Sequence, residues 1–197
     1  MSAPNERGQR LDEVTVFFDR DGTLNPDPGY IGRPEDFELH PGVGAALSRL
    51  NRAGARLILV TNQSGIARGM FTLADLEAIH DKLRRLLALH GARLDAIYHC
   101  PHHPDECCTC RKPAVGMAER AIADFALNRS CMYLVGDQSV DIEMAKRLKA
   151  RSIFVTTGHG SRETLSALSA RGLQPDYVAN GLDAAVDWIF RDASRAG

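Results

Sequence analysis

Residues Val14 to Phe18 (Val-Thr-Val-Phe-Phe) form a short run of β-branched and aromatic side chains with no apolar–polar alternation. A strand that alternates buries one face. A strand that does not alternate buries both, as in a parallel sheet covered by helices on each side. The rest of the chain repeats this theme. Apolar runs at Arg56–Val60, Leu94–Tyr98, Met132–Val135 and Ser152–Val155 read as further strands, with Asp176–Val178 as a short edge strand. Helical patterns fill the intervals: Gly42–Ala53, Val115–Ala126, Val140–Ala150, Glu163–Ala170 and Leu182–Phe190. The clearest helix carries the stripe Leu73, Leu76, Ile79, Leu83, Leu86 and Leu87, with Thr72 and Asp75 placed to cap its start. Strands alternating with helices predict an α/β fold with a doubly wound, mostly parallel sheet.

At 197 residues the chain suffices for one domain with at most a small insertion. The polar stretch 1–13 reads as a flexible tail and 14–197 as a single domain. No insertion between Asp19 and Thr61 is large enough for a separate cap domain. Net charge is −1 and no Lys/Arg block stands out, which argues against nucleic acid as a partner. No segment reads as a signal peptide, and none approaches the roughly 18 apolar residues of a membrane span. A soluble, cytoplasmic protein is expected. No conspicuous apolar surface stripe calls for a dimer, so a monomer is the default.

Chemistry concentrates where strands end, which is where open α/β sheets place ligands. Asp19 and Asp21 follow the first strand and are followed at once by Gly22 and Thr23. Two carboxylates at this spacing suit Mg²⁺, which binds through carboxylates, phosphate and water. An aspartate can also attack phosphorus and form an aspartyl-phosphate. The second strand runs into Thr61-Asn62-Gln63-Ser64-Gly65, the third into a Cys/His segment and Arg111-Lys112-Pro113, the fourth into Gly136-Asp137-Gln138-Ser139-Val140-Asp141. Each has an ordinary explanation: a helix cap for Thr61, a solvated charge for Lys112, a turn for Gly136-Asp137. Oxygen ligands, a hydroxyl and a cation on four ends of one sheet edge point instead to a phosphoryl site.

The segment 99–113 breaks the strand–helix rhythm. Cys100-x-His102 and Cys108-x-Cys110 supply a Cys₃His set suited to a tetrahedral, structural Zn²⁺ with no open position. His103 is an alternative to His102, and Cys107 to Cys108. Cys131, at the start of a buried strand, reads as inert core. A metal knot ending at Cys110 would fix the backbone of Arg111 and Lys112.

Phe-Asp-Arg-Asp-Gly-Thr, Thr-Asn-Gln-Ser-Gly, Arg-Lys-Pro and Gly-Asp-Gln-Ser-Val-Asp together resemble the four motifs of the haloacid dehalogenase (HAD) superfamily. Within it, the chain most resembles the heptose-bisphosphate phosphatase branch and its histidinol-phosphate phosphatase relatives, over about Val14 to Gly158. The resemblance implies a HAD-like Rossmannoid fold with a zinc-binding loop insertion. It also implies a Mg²⁺-dependent phosphatase that removes the 7-phosphate of D-glycero-D-manno-heptose 1,7-bisphosphate through an aspartyl-phosphate. A histidinol-phosphate or other small sugar-phosphate phosphatase is the alternative; a zinc-stabilised binding protein without chemistry is a remote one.

By the same resemblance, Asp19 is the nucleophile, Asp21 the acid/base, and Thr61 and Lys112 stabilise the transferring phosphoryl group. Mg²⁺ falls to Asp19, the Asp21 backbone carbonyl and Asp137, with Asp141 orienting Lys112 or a metal-bound water. Asp27, Gly29, Tyr30, Asn62, Gln63, Ser64, Arg111 and Gln138 are the substrate-binding candidates, with Arg111 offering a planar fork for a second phosphate. Gln138 stands where heptose enzymes often carry a lysine. His159 receives no role.

Overall fold

The computed structural model describes residues 10–158 and 161–196, so His159 lies outside the described residues. Its six strands are β1 (Thr15–Phe18), β2 (Arg56–Asn62), β3 (Ala96–Cys100), β4 (Met132–Gly136), β5 (Arg151–Val155) and β6 (Tyr177–Ala179). They form one sheet in the order β3-β2-β1-β4-β5-β6, and every pairing is parallel. The helices are α1 (Val43–Arg52), α2 (Leu73–Ala88), α3 (Gly116–Phe125), α4 (Ser139–Leu148), α5 (Ser161–Ala170) and α6 (Leu182–Ala196).

The unbroken apolar character of β1 is explained by its place. Val16 and Phe18 join a core with residues of α1, α2 and α6 on one face of the sheet. Phe17 points into a second core with Ile58, Val60 and Leu134, covered by α3 and α4. Both faces are therefore dry, as the absence of alternation requires. Order reverses at β1, whose neighbours β2 and β4 lead away in opposite directions, and the crevice beyond that switch point is where such sheets hold ligands.

Thr72 and Asp75 form the expected capping box at the start of α2: the Asp75 N–H donates to Thr72 Oγ1 at 3.1 Å, and the Thr72 N–H to Asp75 Oδ2 at 2.8 Å. Of the stripe, Leu76, Ile79, Leu83 and Leu87 are buried while Leu73 is exposed. His80 joins them, fully buried with neither ring nitrogen hydrogen-bonded. Burial, helped by Arg20 and His99, lowers its pKa to about 3, so it packs as a neutral ring.

Several boundaries differ from expectation. The third strand begins two residues later and runs through Cys100, because Asp95 turns its carboxylate back onto the Leu57 N–H at 2.8 Å. The edge strand starts at Tyr177, since the Asp176 carboxylate accepts the Ser152 N–H and hydroxyl. The last helix continues to Ala196. Of the segment read as a tail, only 10–13 are among the described residues; there Leu11 is buried and its N–H bonds Ala53 O at 2.6 Å. Cys131 ends a short 3₁₀ turn ahead of β4 and is half-buried.

Candidate active site

Register brings the strand ends together. Phe18 is level with Leu59 of β2 and Val135 of β4, so the residues just beyond β1 and β4 meet those at the end of β2. The Asp19 N–H donates to Val135 O at 3.0 Å. Lys112 arrives from the loop after β3, and its Nζ lies 2.7 Å from Asp19 Oδ1 and 2.7 Å from Asp141 Oδ1. Its backbone is gripped by Asn62: the Lys112 N–H donates to Oδ1 at 3.0 Å, and Nδ2 donates to Lys112 O at 3.2 Å. Asn62 thus aims Lys112.

Asp19, Asp137 and Asp141 are buried and place carboxylate oxygens within 4.8 Å of one another. Three carboxylates against one ammonium leave two excess negative charges, which a divalent cation would cancel. Without one, burial and mutual repulsion raise the Asp19 carboxyl above its usual range and the Asp137 carboxyl to about 7. Burial opposes charge on Lys112, but Asp141 and Asp19 outweigh it and keep the ammonium charged. The space around Asp137 depends on glycine: a Cβ at Gly22, whose φ is +83°, would meet Asp137 Oδ2 at 2.2 Å, and one at Gly158 would meet it at 1.8 Å. This donor set of hard oxygens fits Mg²⁺. Asp141 faces the same cluster but is paired with Lys112, and the Asp21 side chain points elsewhere.

A pH dependence follows from Asp137. Its folded pKa lies above the unfolded value, so between about pH 4 and pH 7 the native state binds a proton that the unfolded chain has lost, and stability falls as pH rises. A divalent ion must displace that proton. Mg²⁺ should therefore raise the melting temperature little at pH 5.5 and clearly at pH 8, with affinity changing by up to about tenfold per pH unit below 7. Thermal scans with and without Mg²⁺ at both pH values check this; equal shifts would contradict it.

The Asp21 carboxylate sits in a cradle of four donors. Oδ1 accepts Arg20 Nε at 3.0 Å and Asn25 Nδ2 at 3.0 Å; Oδ2 accepts Arg20 Nη2 at 2.9 Å and Gln63 Nε2 at 2.9 Å. Gln63 Nε2 also reaches Thr61 Oγ1 at 2.9 Å. Thr61 and Gln63 are buried side by side at the mouth of β2. Arg20, 1% exposed beneath Phe37, was not foreseen as part of the site. The signal was available: an arginine next to a buried strand end needs a carboxylate partner.

An open cavity of about 640 Å³ lies over these groups. Asp19, Asp21, Thr61 and Lys112 line its floor; Asp27, Gly29, Tyr30, Asn62, Gln63, Arg111 and Gln138 also face it, whereas Ser64 does not. Gly29 N–H bonds Asp27 Oδ1 at 2.9 Å, which shapes the turn that carries Tyr30. Gln138 Nε2 donates to Asp137 Oδ2 at 3.0 Å. Arg111 leaves Nη1 buried without a partner. Arg147, which the sequence did not single out, and Cys107, named there only as an alternative zinc ligand, also line the cavity.

The loop gathers Cys100, His102, Cys108 and Cys110 into one cluster. Cys100 Sγ is 3.5 Å from Cys108 Sγ and 3.2 Å from Cys110 Sγ, and His102 Nδ1 is 3.1 Å from Cys110 Sγ. His103 instead caps the 3₁₀ turn Pro104–Glu106, and Cys107 is exposed. Without a metal, burial raises the Cys100 and Cys110 thiols, whereas hydrogen bonding led by the Arg111 backbone overcomes burial at Cys108 and lowers it to about 7. Gly116 allows the loop to close: a Cβ there would meet Thr109 O at 2.4 Å.

Comparison with known proteins agrees with this architecture. Residues 109–185 match the HAD-hydrolase-like family model. A D-glycero-D-manno-heptose-1,7-bisphosphate 7-phosphatase of Thermosynechococcus vestitus is 43% identical over 185 residues, covering 88% of this chain and 94% of that protein. A D-glycero-beta-D-manno-heptose-1,7-bisphosphate 7-phosphatase of Haemophilus ducreyi is 39% identical, covering 91% of this chain and all of that protein. The crystal structure of D,D-heptose 1,7-bisphosphate phosphatase from B. bronchiseptica, complexed with magnesium and phosphate, superposes with a TM-score of 0.83 at 36% identity, covering 91% of this chain and 99% of that one. With the motif residues gathered at one sheet edge and identity extending over nearly the full length, the chain belongs to the heptose-1,7-bisphosphate 7-phosphatase family of HAD-like hydrolases.

Proposed function

We propose that this protein is a Mg²⁺-dependent phosphatase that hydrolyses the 7-phosphate of D-glycero-D-manno-heptose 1,7-bisphosphate through an aspartyl-phosphate on Asp19. The observation that carries the reading is the buried Asp19–Lys112–Asp141 ion pairing beside Asp137 on the floor of an open cavity. Asp19, Asp137 and the Asp21 carbonyl would hold Mg²⁺, which would neutralise phosphoryl charge when bound.

Asp19 attacks phosphorus, forming an Asp19–phosphorus bond as the bond to the sugar oxygen breaks. Asp21, turned out of its cradle and protonated, delivers its proton to that leaving oxygen. As carboxylate it then takes a proton from the water that attacks phosphorus, freeing phosphate and restoring Asp19. Lys112 and Thr61 face the phosphoryl oxygens and supply fixed positive charge and a hydroxyl donor. The Cys100, His102, Cys108 and Cys110 set would hold a structural Zn²⁺ that fixes Arg111 and Lys112. No helix among the described residues is long and apolar enough to cross a membrane.

The test is phosphate release from both anomers of the heptose bisphosphate beside histidinol phosphate. A large kcat/KM preference for a heptose anomer supports the reading; preference for histidinol phosphate overturns it. For the zinc loop, Cys108→Ser should lower bound zinc to well below one per chain and reduce the melting temperature. Unchanged zinc content, read by elemental analysis, would remove Cys108 from the ligand set.

A further inference from the structure

Besides Lys112, the cavity is lined by two cations that the chemistry at Asp19 does not use, Arg111 and Arg147, and Arg147 has no role so far. Arg147 lies on the third turn of α4, yet it lines the same cavity as Val140 and Gln138. Residues 140 and 147 are seven apart, two helical turns, and so share a face. A long helical side chain leans back toward the N-terminus of its helix, and the N-terminus of α4 is the end that meets the site. Arg147 therefore reaches toward the substrate from behind Val140.

Its present partner is Glu143, with Arg147 Nη2 2.5 Å from Oε1. That partner is shared: Arg171 Nη2 lies 2.6 Å from the other oxygen, and its hydrogen bond is the largest influence holding the Glu143 carboxyl low. Arg147 can leave Glu143 without stranding a lone carboxylate. It is also half in water, so the ion pair it gives up is a weak one. Arg111 lines the same cavity, and its Nη1 is buried with no hydrogen-bond partner among the described residues. Lys112, the third cation, is committed to Asp19 and Asp141. Gln138, which caps the start of α4, carries no charge and donates to Asp137.

We propose that Arg147 is a specificity-determining residue that swings from Glu143 to join Arg111 in holding the second, non-reacting phosphate of a sugar bisphosphate. This rests on the bisphosphatase function proposed above. Two guanidinium forks suit a phosphate dianion better than ammonium groups, because each offers paired N–H donors at fixed spacing. Arg147 acts in binding and leaves the chemistry at Asp19 unchanged.

The experiment compares wild type, Arg147→Ala and Arg147→Lys on fructose 1,6-bisphosphate, fructose 6-phosphate and the heptose 1,7-bisphosphate. Arg147→Ala should raise KM for each bisphosphate about tenfold, the loss of one charge-assisted hydrogen-bonding group, with kcat within about twofold of wild type. KM for fructose 6-phosphate should not move, and Arg147→Lys should recover part of the loss. Equal effects on bisphosphate and monophosphate, or no effect on either, overturn the proposal. For a bisphosphate that wild type does not hydrolyse, the same comparison is read as inhibition of p-nitrophenyl phosphate turnover. Equal inhibition constants in wild type and Arg147→Ala, or no inhibition of either, likewise overturn it. Wild-type turnover of fructose 1,6-bisphosphate without turnover of the heptose refutes the heptose reading alone and leaves the Arg147 comparison intact.

Discussion

Asp19→Asn should abolish phosphate release, lowering kcat by at least about a thousandfold, because a carboxamide cannot attack phosphorus. The substitution is isosteric and the site is buried, so shape is kept. It removes one of three carboxylates that repel one another, and Lys112 retains Asp141 at 2.7 Å. The melting temperature without Mg²⁺ should therefore hold or rise while activity disappears. Steady-state kinetics beside a thermal scan separate the two effects. Activity within tenfold of wild type would remove Asp19 as nucleophile.

Lys112→Met should have the opposite profile for stability. Its ammonium is the one positive group bridging Asp19 and Asp141, and both partners are buried. Losing one member of a buried ion pair leaves an uncompensated charge and costs about 3–5 kcal/mol. In a chain of this length that corresponds to a fall of roughly 10 °C in melting temperature. Turnover should drop about 10²–10³-fold through loss of charge stabilisation at the phosphoryl group. Combining Lys112→Met with Asp141→Asn should restore much of the stability and none of the activity. Recovery of turnover in the double variant would show that Lys112 serves folding alone.

These two residues mark how far sequence reasoning reaches. Asp19 and Lys112 were identifiable because a strand that is apolar on both faces predicts a parallel sheet, and a parallel sheet gathers its strand ends at one edge. The capping box at Thr72 and Asp75 was legible for a similar reason: it is local, closed within one turn. Boundaries shifted where a side chain inside an expected strand bonded across to a neighbouring strand, as when Asp95 and Asp176 used their carboxylates on β2 and β5 and the starts of β3 and β6 moved.

Within the site, the division follows the range of the interaction. Cys100, His102, Cys108 and Cys110 were named by spacing, with His103 and Cys107 as alternatives, and the loop's path through three dimensions gathers those four. Asn62 looked like a substrate ligand and is hydrogen-bonded to the Lys112 backbone, fifty residues away in sequence. Asp21 looked like part of a carboxylate cluster, and its side chain lies instead among Arg20, Asn25 and Gln63.

Periodicity and β-branched content alone determined the alternation of elements, the parallel sheet and the edge at which chemistry gathers, since burial on both faces leaves a one-dimensional trace in the chain. Tertiary structure alone decided which carboxylates face one another, which way Asp21 turns and that Arg147 reaches the cavity from α4. Those outcomes depend on distances between groups far apart in sequence, where electrostatics and hydrogen-bond geometry act through space and leave no period to read.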